Sequence, residues 1–191
     1  EIHGGTILGK WQSTGTTNNS WVLFMDDQMA TRQPNRLVLY AQNNCSDTGL
    51  GTGLISTAAL GLSAWSHVAA QRRGDLLEMF VNGVLVGKVS FTGSMCTSTQ
   101  PFMIGDFHLP VSTTQWPKEF KGNIDEVRIS IGTARYNAGN VTSTGTSVFT
   151  PSEDTFSSDS NTLFLMHSDS VSTNIKDVSK YEHTVNVHGD T

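Results

Sequence analysis

Long apolar runs, basic blocks and helical periodicity are all missing from this 191-residue chain. Each absence removes a class of protein. No stretch approaches the ~20 apolar residues that span a bilayer as a helix, and no signal-peptide pattern is present. The formal net charge of -5 is spread along the chain, so the concentrated positive charge that nucleic acid or an anionic membrane surface requires is absent. Lysine and glutamate are scarce, and no apolar pattern of three- and four-residue spacing supports a helix beyond a turn or two. Cysteine occurs only at Cys45 and Cys96. Without a CxxC pair there is no zinc-ribbon or thioredoxin-type spacing. Both cysteines lie in turn-rich segments, QNNCSDTG and GSMCTSTQ. A disulfide and two unbonded thiols are both compatible with that placement, the thiols being the simpler expectation. The chain starts at Glu1 rather than methionine, as expected if a preceding segment was removed or the chain is part of something longer.

What is present is glycine, serine, threonine and asparagine between short apolar runs, the composition of a turn-rich β protein. Strands are expected over 6–11, 20–25, 36–41, 66–71, 76–81, 84–91, 101–105 and 123–130. Asn82-Gly83 is the strongest local signal, because both central residues of a type I′ turn need positive φ. Residues 57–62 and 134–139 read as short turns, and 106–121 as a long loop carrying aromatics. These elements predict an all-β, antiparallel β-sandwich.

The stretch AWSHVAAQRRGD (64–75) is dense in reactive side chains. Strand alternation puts Trp65, His67 and Ala69 on one face. A catalytic histidine needs a nucleophile or carboxylate within hydrogen-bond reach, and no spacing here supplies one. Trp65 and His67 are therefore expected within the framework, with Arg72, Arg73 and Asp75 around Gly74 in a solvated turn.

In order along the chain stand Trp65-Ser-His67-Val-Ala69, a strand leading into Asn82-Gly83, Met103-Ile104-Gly105, and FKGNIDEVRIS over 120–130. This succession resembles the laminin-G-like, concanavalin A-like jelly roll over residues 5–136, with Asn82 where that family usually has Asp. Beyond it, ARY (134–136) and FTP (149–151), then TLFLMHSD (162–169) and KDVSKYEH (176–183), are similar to the junction between tandem repeats in virion proteins of tailed bacteriophages. The family's FTIEFWV-type strand, which would stand just before Glu1, is not seen. The resemblance implies a jelly-roll module over 1–148 with its first strands missing or supplied elsewhere. A linker over 149–160 then leads to 161–191, which either open a second repeat or complete the same sandwich.

The fold hosts glycoside hydrolases and polysaccharide lyases. Retaining glucanases need carboxylates about 5 Å apart on one strand face, and no Glu-x-Asp-x-Glu run supplies them. Asp125 and Glu126 are adjacent and hence on opposite faces, so no catalytic residue is expected. Parity places Asp125 with Val127, Ile129 and Ile131 on the apolar face, where a carboxylate must be paired, capped or metal-bound. The resemblance implies a structural Ca²⁺ held by Asp125 with Asp169 or Asp177; bonding of Asp125 to loop amides is the alternative. Glycan-contacting candidates are Phe107, His108, Trp116 and Lys118 in the long loop, because aromatic faces and polar loop groups suit a pyranose. Trp11, Trp21 and Tyr40 lie on or beside strands. His3, His108, His167, His183 and His188 form no zinc spacing.

The expected function is a non-catalytic, lectin-like binding or adhesion module on a virion surface, as head fibre, decoration or tail protein. It would contact glycans or other particle proteins, be oligomeric or repeated, bind no nucleic acid and insert in no membrane. The alternatives are a purely structural virion protein, a carbohydrate-active enzyme of the same fold, and an extracellular adhesin of cellular origin.

Overall fold

Asn82 and Gly83 take φ of 49° and 79° and reverse the chain between two strands, as their turn chemistry requires. The computed structural model describes residues 5–12, 17–26, 34–106, 119–139, 141–168 and 175–188. Its strands are β1 (Gly5–Lys10), β2 (Trp21–Met25), β3 (Arg36–Ala41), β4 (Thr52–Ala59), β5 (Val68–Arg73), β6 (Leu76–Val81), β7 (Val84–Ser90), β8 (Met103–Ile104), β9 (Val127–Ser130) and β10 (Thr162–Met166). Every pairing is antiparallel, and no helix occurs among the described residues. The protein is an all-β antiparallel sandwich of the concanavalin A-like, laminin G-like kind.

The chain divides into two units, Glu1–Gly122 with Asn137–Thr150, and Asn123–Tyr136 with Pro151–Thr191. The first holds a sheet of order β4-β3-β2-β1-β8 and a sheet of order β5-β6-β7. Two-residue side-chain periodicity gives each sheet an apolar face. Leu23, Leu37, Leu39, Ala41 and Leu54 from the larger sheet join Leu77, Met79 and Val86 from the smaller, with Phe91, in one buried layer. The outward face of the larger sheet carries a second cluster of Trp11, Val22, Phe24 and Val38, with Tyr40 and Leu50 packed against it.

The outward face of the smaller sheet buries Glu78 and Phe80 completely. Segment 145–149 runs along the outer edge of β7. Leu85 N–H donates to Thr146 O at 2.9 Å and Val148 N–H to Gly83 O at 2.8 Å, and Phe149 meets Phe80 edge-on at 5.6 Å.

Three expectations change in this unit. The short turn expected over 57–62 gives way to the end of β4 over 57–59; the strand's small residues have weak strand preference, and pairing with β3 makes it a strand. Trp65 is 69% exposed rather than part of the framework, because β5 starts only at Val68 and strand parity does not reach back to it. Arg73 leaves the turn: it bonds Glu78, while Arg72 and Asp75 stay at the turn 3.7 Å apart.

In the second unit β9 and β10 form a ribbon with Val127 opposite Met166 and Ser130 opposite Thr162. It takes one strand from each side of the expected 149–160 linker. Arg128 lies 4.0 Å over the Phe156 ring. Arg135 grips Asp159 through two 2.8 Å bonds. Glu126 has φ of 52°, which breaks the alternation used to place Asp125. Asp125 is exposed, and Ile131 is 61% exposed rather than core-facing.

Candidate functional site

The connections 11–20, 42–51 and 91–102 all leave the same end of the larger sheet, as the pairs Lys10–Trp21, Ala41–Thr52 and Gly9–Met103 require. They are stitched to one another. Cys45 and Cys96 form a disulfide, which decides between the two states compatible with the sequence. Asn18 N–H donates to Cys45 O at 2.7 Å and Cys96 N–H to Gln42 O at 2.8 Å. Ser20 Oγ donates to Cys96 O at 2.7 Å and Ser98 Oγ to Asn18 O at 2.6 Å.

Side-chain amides dominate the rim so formed. Gln100 Nε2 donates to Gln12 Oε1 at 3.0 Å, and Asn43 Nδ2 to Thr92 O at 3.1 Å. Asn18 bonds the Thr99 hydroxyl and accepts from Thr99 N–H, and Asn44 Oδ1 caps Ser46 N–H at 3.0 Å. Gln42 is buried beneath them. Its Nε2 donates to Gly49 O at 2.7 Å, and its Oε1 has no partner among the described residues. Gly51 must stay glycine: its φ is 65°, and a Cβ there would sit 2.3 Å from Ala41 O and 2.9 Å from Gln42 Oε1.

Aromatic rings adjoin this rim. Trp11 and Tyr40 lie 6.4 Å apart, and Trp21 and Phe102 6.1 Å apart. Burial, and then the charge of Asp26, pushes the Tyr40 hydroxyl above its ordinary pKa, so it stays a neutral donor. Pinned loops carrying amides beside aromatic rings can hold a hydroxyl-rich neutral ligand at little ordering cost.

Of the residues expected to contact ligand, Phe107, His108, Trp116 and Lys118 lie outside the described residues, as does Asp169 of the expected cation site. Asp125 and Asp177 are both engaged. Asp125 Oδ1 accepts from Glu126 N–H at 2.7 Å and Ser168 N–H at 2.8 Å, the loop-amide arrangement named as the alternative. Asp177 Oδ1 accepts from Leu165 N–H at 3.0 Å and Ser179 N–H at 2.8 Å. Its Oδ2 takes Ser179 Oγ at 2.9 Å, His183 N–H at 3.0 Å and His183 Nδ1 at 2.6 Å. Burial would raise the Asp177 carboxyl, but these donors hold it well below its ordinary range. A carboxylate has about four acceptor positions, so Asp177 has none left for a cation and does not fit a Ca²⁺ ligand. Among the described residues no three His, Cys, Asp or Glu side chains are grouped to hold a metal.

The neighbouring Glu126 has a similar structural task. Its Oε2 accepts from Phe156 N–H at 2.7 Å and its Oε1 meets His167 Nδ1 at 2.5 Å. Asp125-Glu126 and His167-Ser168 thus fasten the end of β10 to the start of β9. Sequence reasoning missed this, and the spacing Asp177-x-Ser179-x-x-x-His183 was the signal that could have disclosed the Asp177 knot: an Asx-type turn followed by a return of the chain.

A family model described as the concanavalin A-like lectin/glucanases superfamily matches residues 7–135. No curated protein sequence matches the chain. Among solved structures, residues 221–444 of an S-layer domain-containing protein from Clostridium thermocellum are similar at 22% identity, with a TM-score of 0.33. That match covers 68% of this chain and 58% of the solved one.

Proposed function

The chain belongs to the concanavalin A-like lectin/glucanases superfamily, and from that premise we propose that it is a carbohydrate-binding module that acts without catalysis. The observation that carries this reading is the amide-rich rim, held in one conformation by the Cys45–Cys96 bond and by hydrogen bonds between its three loops. Sugars are recognised by such amides together with aromatic faces, and a pre-ordered rim loses little entropy on binding.

Four carboxylates support the non-catalytic part. Glu78, Glu126, Asp159 and Asp177 are each committed to internal donors, unlike a nucleophile and acid facing a shared substrate. The disulfide favours an oxidising setting outside the cell. Within that setting we place the module on the surface of a tailed-phage particle, as fibre, decoration or tail protein. The likeness of 134–183 to a repeat junction supports the choice. Many displayed copies would let weak sites act together.

A glycan array probed with the oxidised protein is expected to give a restricted set of hits. Asn18→Ala and Asn43→Ala should weaken them by about tenfold each, the effect of one lost hydrogen bond. An array on which the intact protein is silent rejects the proposal.

A further inference from the structure

We infer that Trp65 is a stacking platform for a neutral sugar, a second contact point remote from the amide rim. The carbohydrate-binding reading contributes only the ligand class; the site itself stands on separate observations. Trp65 is 69% exposed, the most exposed of the large hydrophobic side chains among the described residues. Tryptophan is highly buried on average, so an indole displayed this far is informative.

The loop that displays it is pinned at both ends. Leu60 N–H donates to Asn35 O at 2.8 Å, and the Leu60 side chain packs on the main core. At the other end His67 N–H donates to Asn82 Oδ1 at 2.8 Å, and Asn82 N–H returns a 2.8 Å bond to His67 O. The His67 ring stands edge-on to Phe149 at 5.5 Å. Between these anchors Ser63 adopts φ of 58°, a conformation that tightens the loop. An indole on so short and anchored a loop is already placed when a ligand arrives, which is what stacking needs.

Residues 50–66 contain no Asp, Glu, Lys or Arg, so the segment that carries the indole brings no charge of its own to the ligand. A neutral pyranose suits such a surface, because its apolar C–H face can cover the ring while its hydroxyls stay in water. The location is also distinct. β4 starts opposite Ala41 at the rim end and finishes opposite Arg36, and loop 60–66 departs from that far end.

The test titrates neutral β-glucan, galactan and chitin oligosaccharides into the intact protein, Trp65→Ala, Trp65→Phe and Asn18→Ala, reading tryptophan fluorescence and calorimetry. The chain has four tryptophans, so a blue shift that vanishes in Trp65→Ala and persists in Trp116→Ala reports this ring. The inference expects Trp65→Ala to lose about tenfold in affinity or more, with Trp65→Phe retaining part of it and the unfolding midpoint unchanged. Sugar binding weakened by Asn18→Ala but equal in wild type and Trp65→Ala would overturn it while leaving the rim reading intact. Silence of every protein towards sugars overturns both. Concentration-dependent association in sedimentation that Trp65→Ala abolishes, without any sugar effect, would make the loop a protein contact and overturn it as well.

Discussion

Arg73 closes a two-pronged ion pair on Glu78, Nε to Oε2 at 3.1 Å and Nη2 to Oε1 at 2.6 Å, and the same Nη2 donates to Gly139 O at 3.1 Å. Glu78 sits at the middle of β6, directly across from Gln71 on β5 and Lys88 on β7. Gln71 Nε2 reaches its Oε2 at 2.9 Å, and Lys88 Nζ lies 3.6 Å from its Oε1 while donating to Val141 O at 3.0 Å. One buried carboxylate therefore joins three strands and, through its two cations, ties Gly139 and Val141 to the sheet.

Glu78→Ala should destabilise the protein strongly. Removing one partner of a buried pair costs on the order of 3 kcal/mol, and here the loosening of Gly139 and Val141 adds to it. Equilibrium denaturation by urea measures the change. A loss under about 0.5 kcal/mol, the range of an exposed pair, would show that the cluster is not a structural centre.

The Cys45–Cys96 bond closes a loop of 51 residues. Constraint of the unfolded chain over that length is worth about 4 kcal/mol in the chain-entropy model. Reduction, or Cys45→Ser with Cys96→Ser, should lower the denaturation midpoint accordingly. Hydrogen exchange should rise first at the amides of Asn18, Gln42 and residue 96, whose bonds the disulfide holds. Unchanged stability under full reduction, verified by mass, refutes this.

Local chemistry made much of the fold readable. Asn82-Gly83, the strands on either side of it, and the ordered family motifs rest on residues whose preferences act within a few positions. β4 was not readable, since Gly53, Ser56, Ala58 and Ala59 become strand only by pairing with β3. Trp65 and Asp125 were misplaced for one reason: parity was extended past a strand end, at Val68 in one case and at the positive φ of Glu126 in the other. The cysteine pairing depends on two Cα atoms meeting at 5.1 Å, a tertiary fact that spacing does not carry. The rim amides gave no signal, because Asn and Gln in loops look alike whether stitched together or solvated.

Asp177→Ala should loosen β10, because the amides of Leu165, Ser179 and His183 lose their acceptor. Unsatisfied buried donors cost roughly 1–3 kcal/mol each, less whatever water recovers. Exchange at Leu165 and Ser179 should accelerate while Leu23 and Met79 keep their protection. Chelator should leave the wild-type melting temperature where it is, since Asp177 has no acceptor position left for a cation. A drop of several degrees on chelation, restored by Ca²⁺, would show that a cation is bound and that the carboxylate's partners rearrange around it.

Acid should unfold the protein through the same carboxylates. Burial would raise Glu78, but the bonds from Arg73 and Gln71 and the charges of Arg73 and Lys88 hold it below its ordinary 4.5. Asp177 is held below its ordinary 3.8 by the amides of Leu165, Ser179 and His183 and by the His183 ring. A carboxylate whose folded value is depressed stabilises the folded state above its unfolded value and loses that contribution as pH falls towards the folded one. Stability should thus be flat with respect to these groups above about pH 5 and decline below about pH 4, by up to about 1.4 kcal/mol per pH unit for each group. Urea midpoints between pH 3 and pH 7 measure the slope. Glu78→Gln should flatten it, since an amide has no proton to take up in this range. A wild-type midpoint that holds steady or rises from pH 5 to pH 3 would contradict the assignment of both carboxylates as ionised anchors.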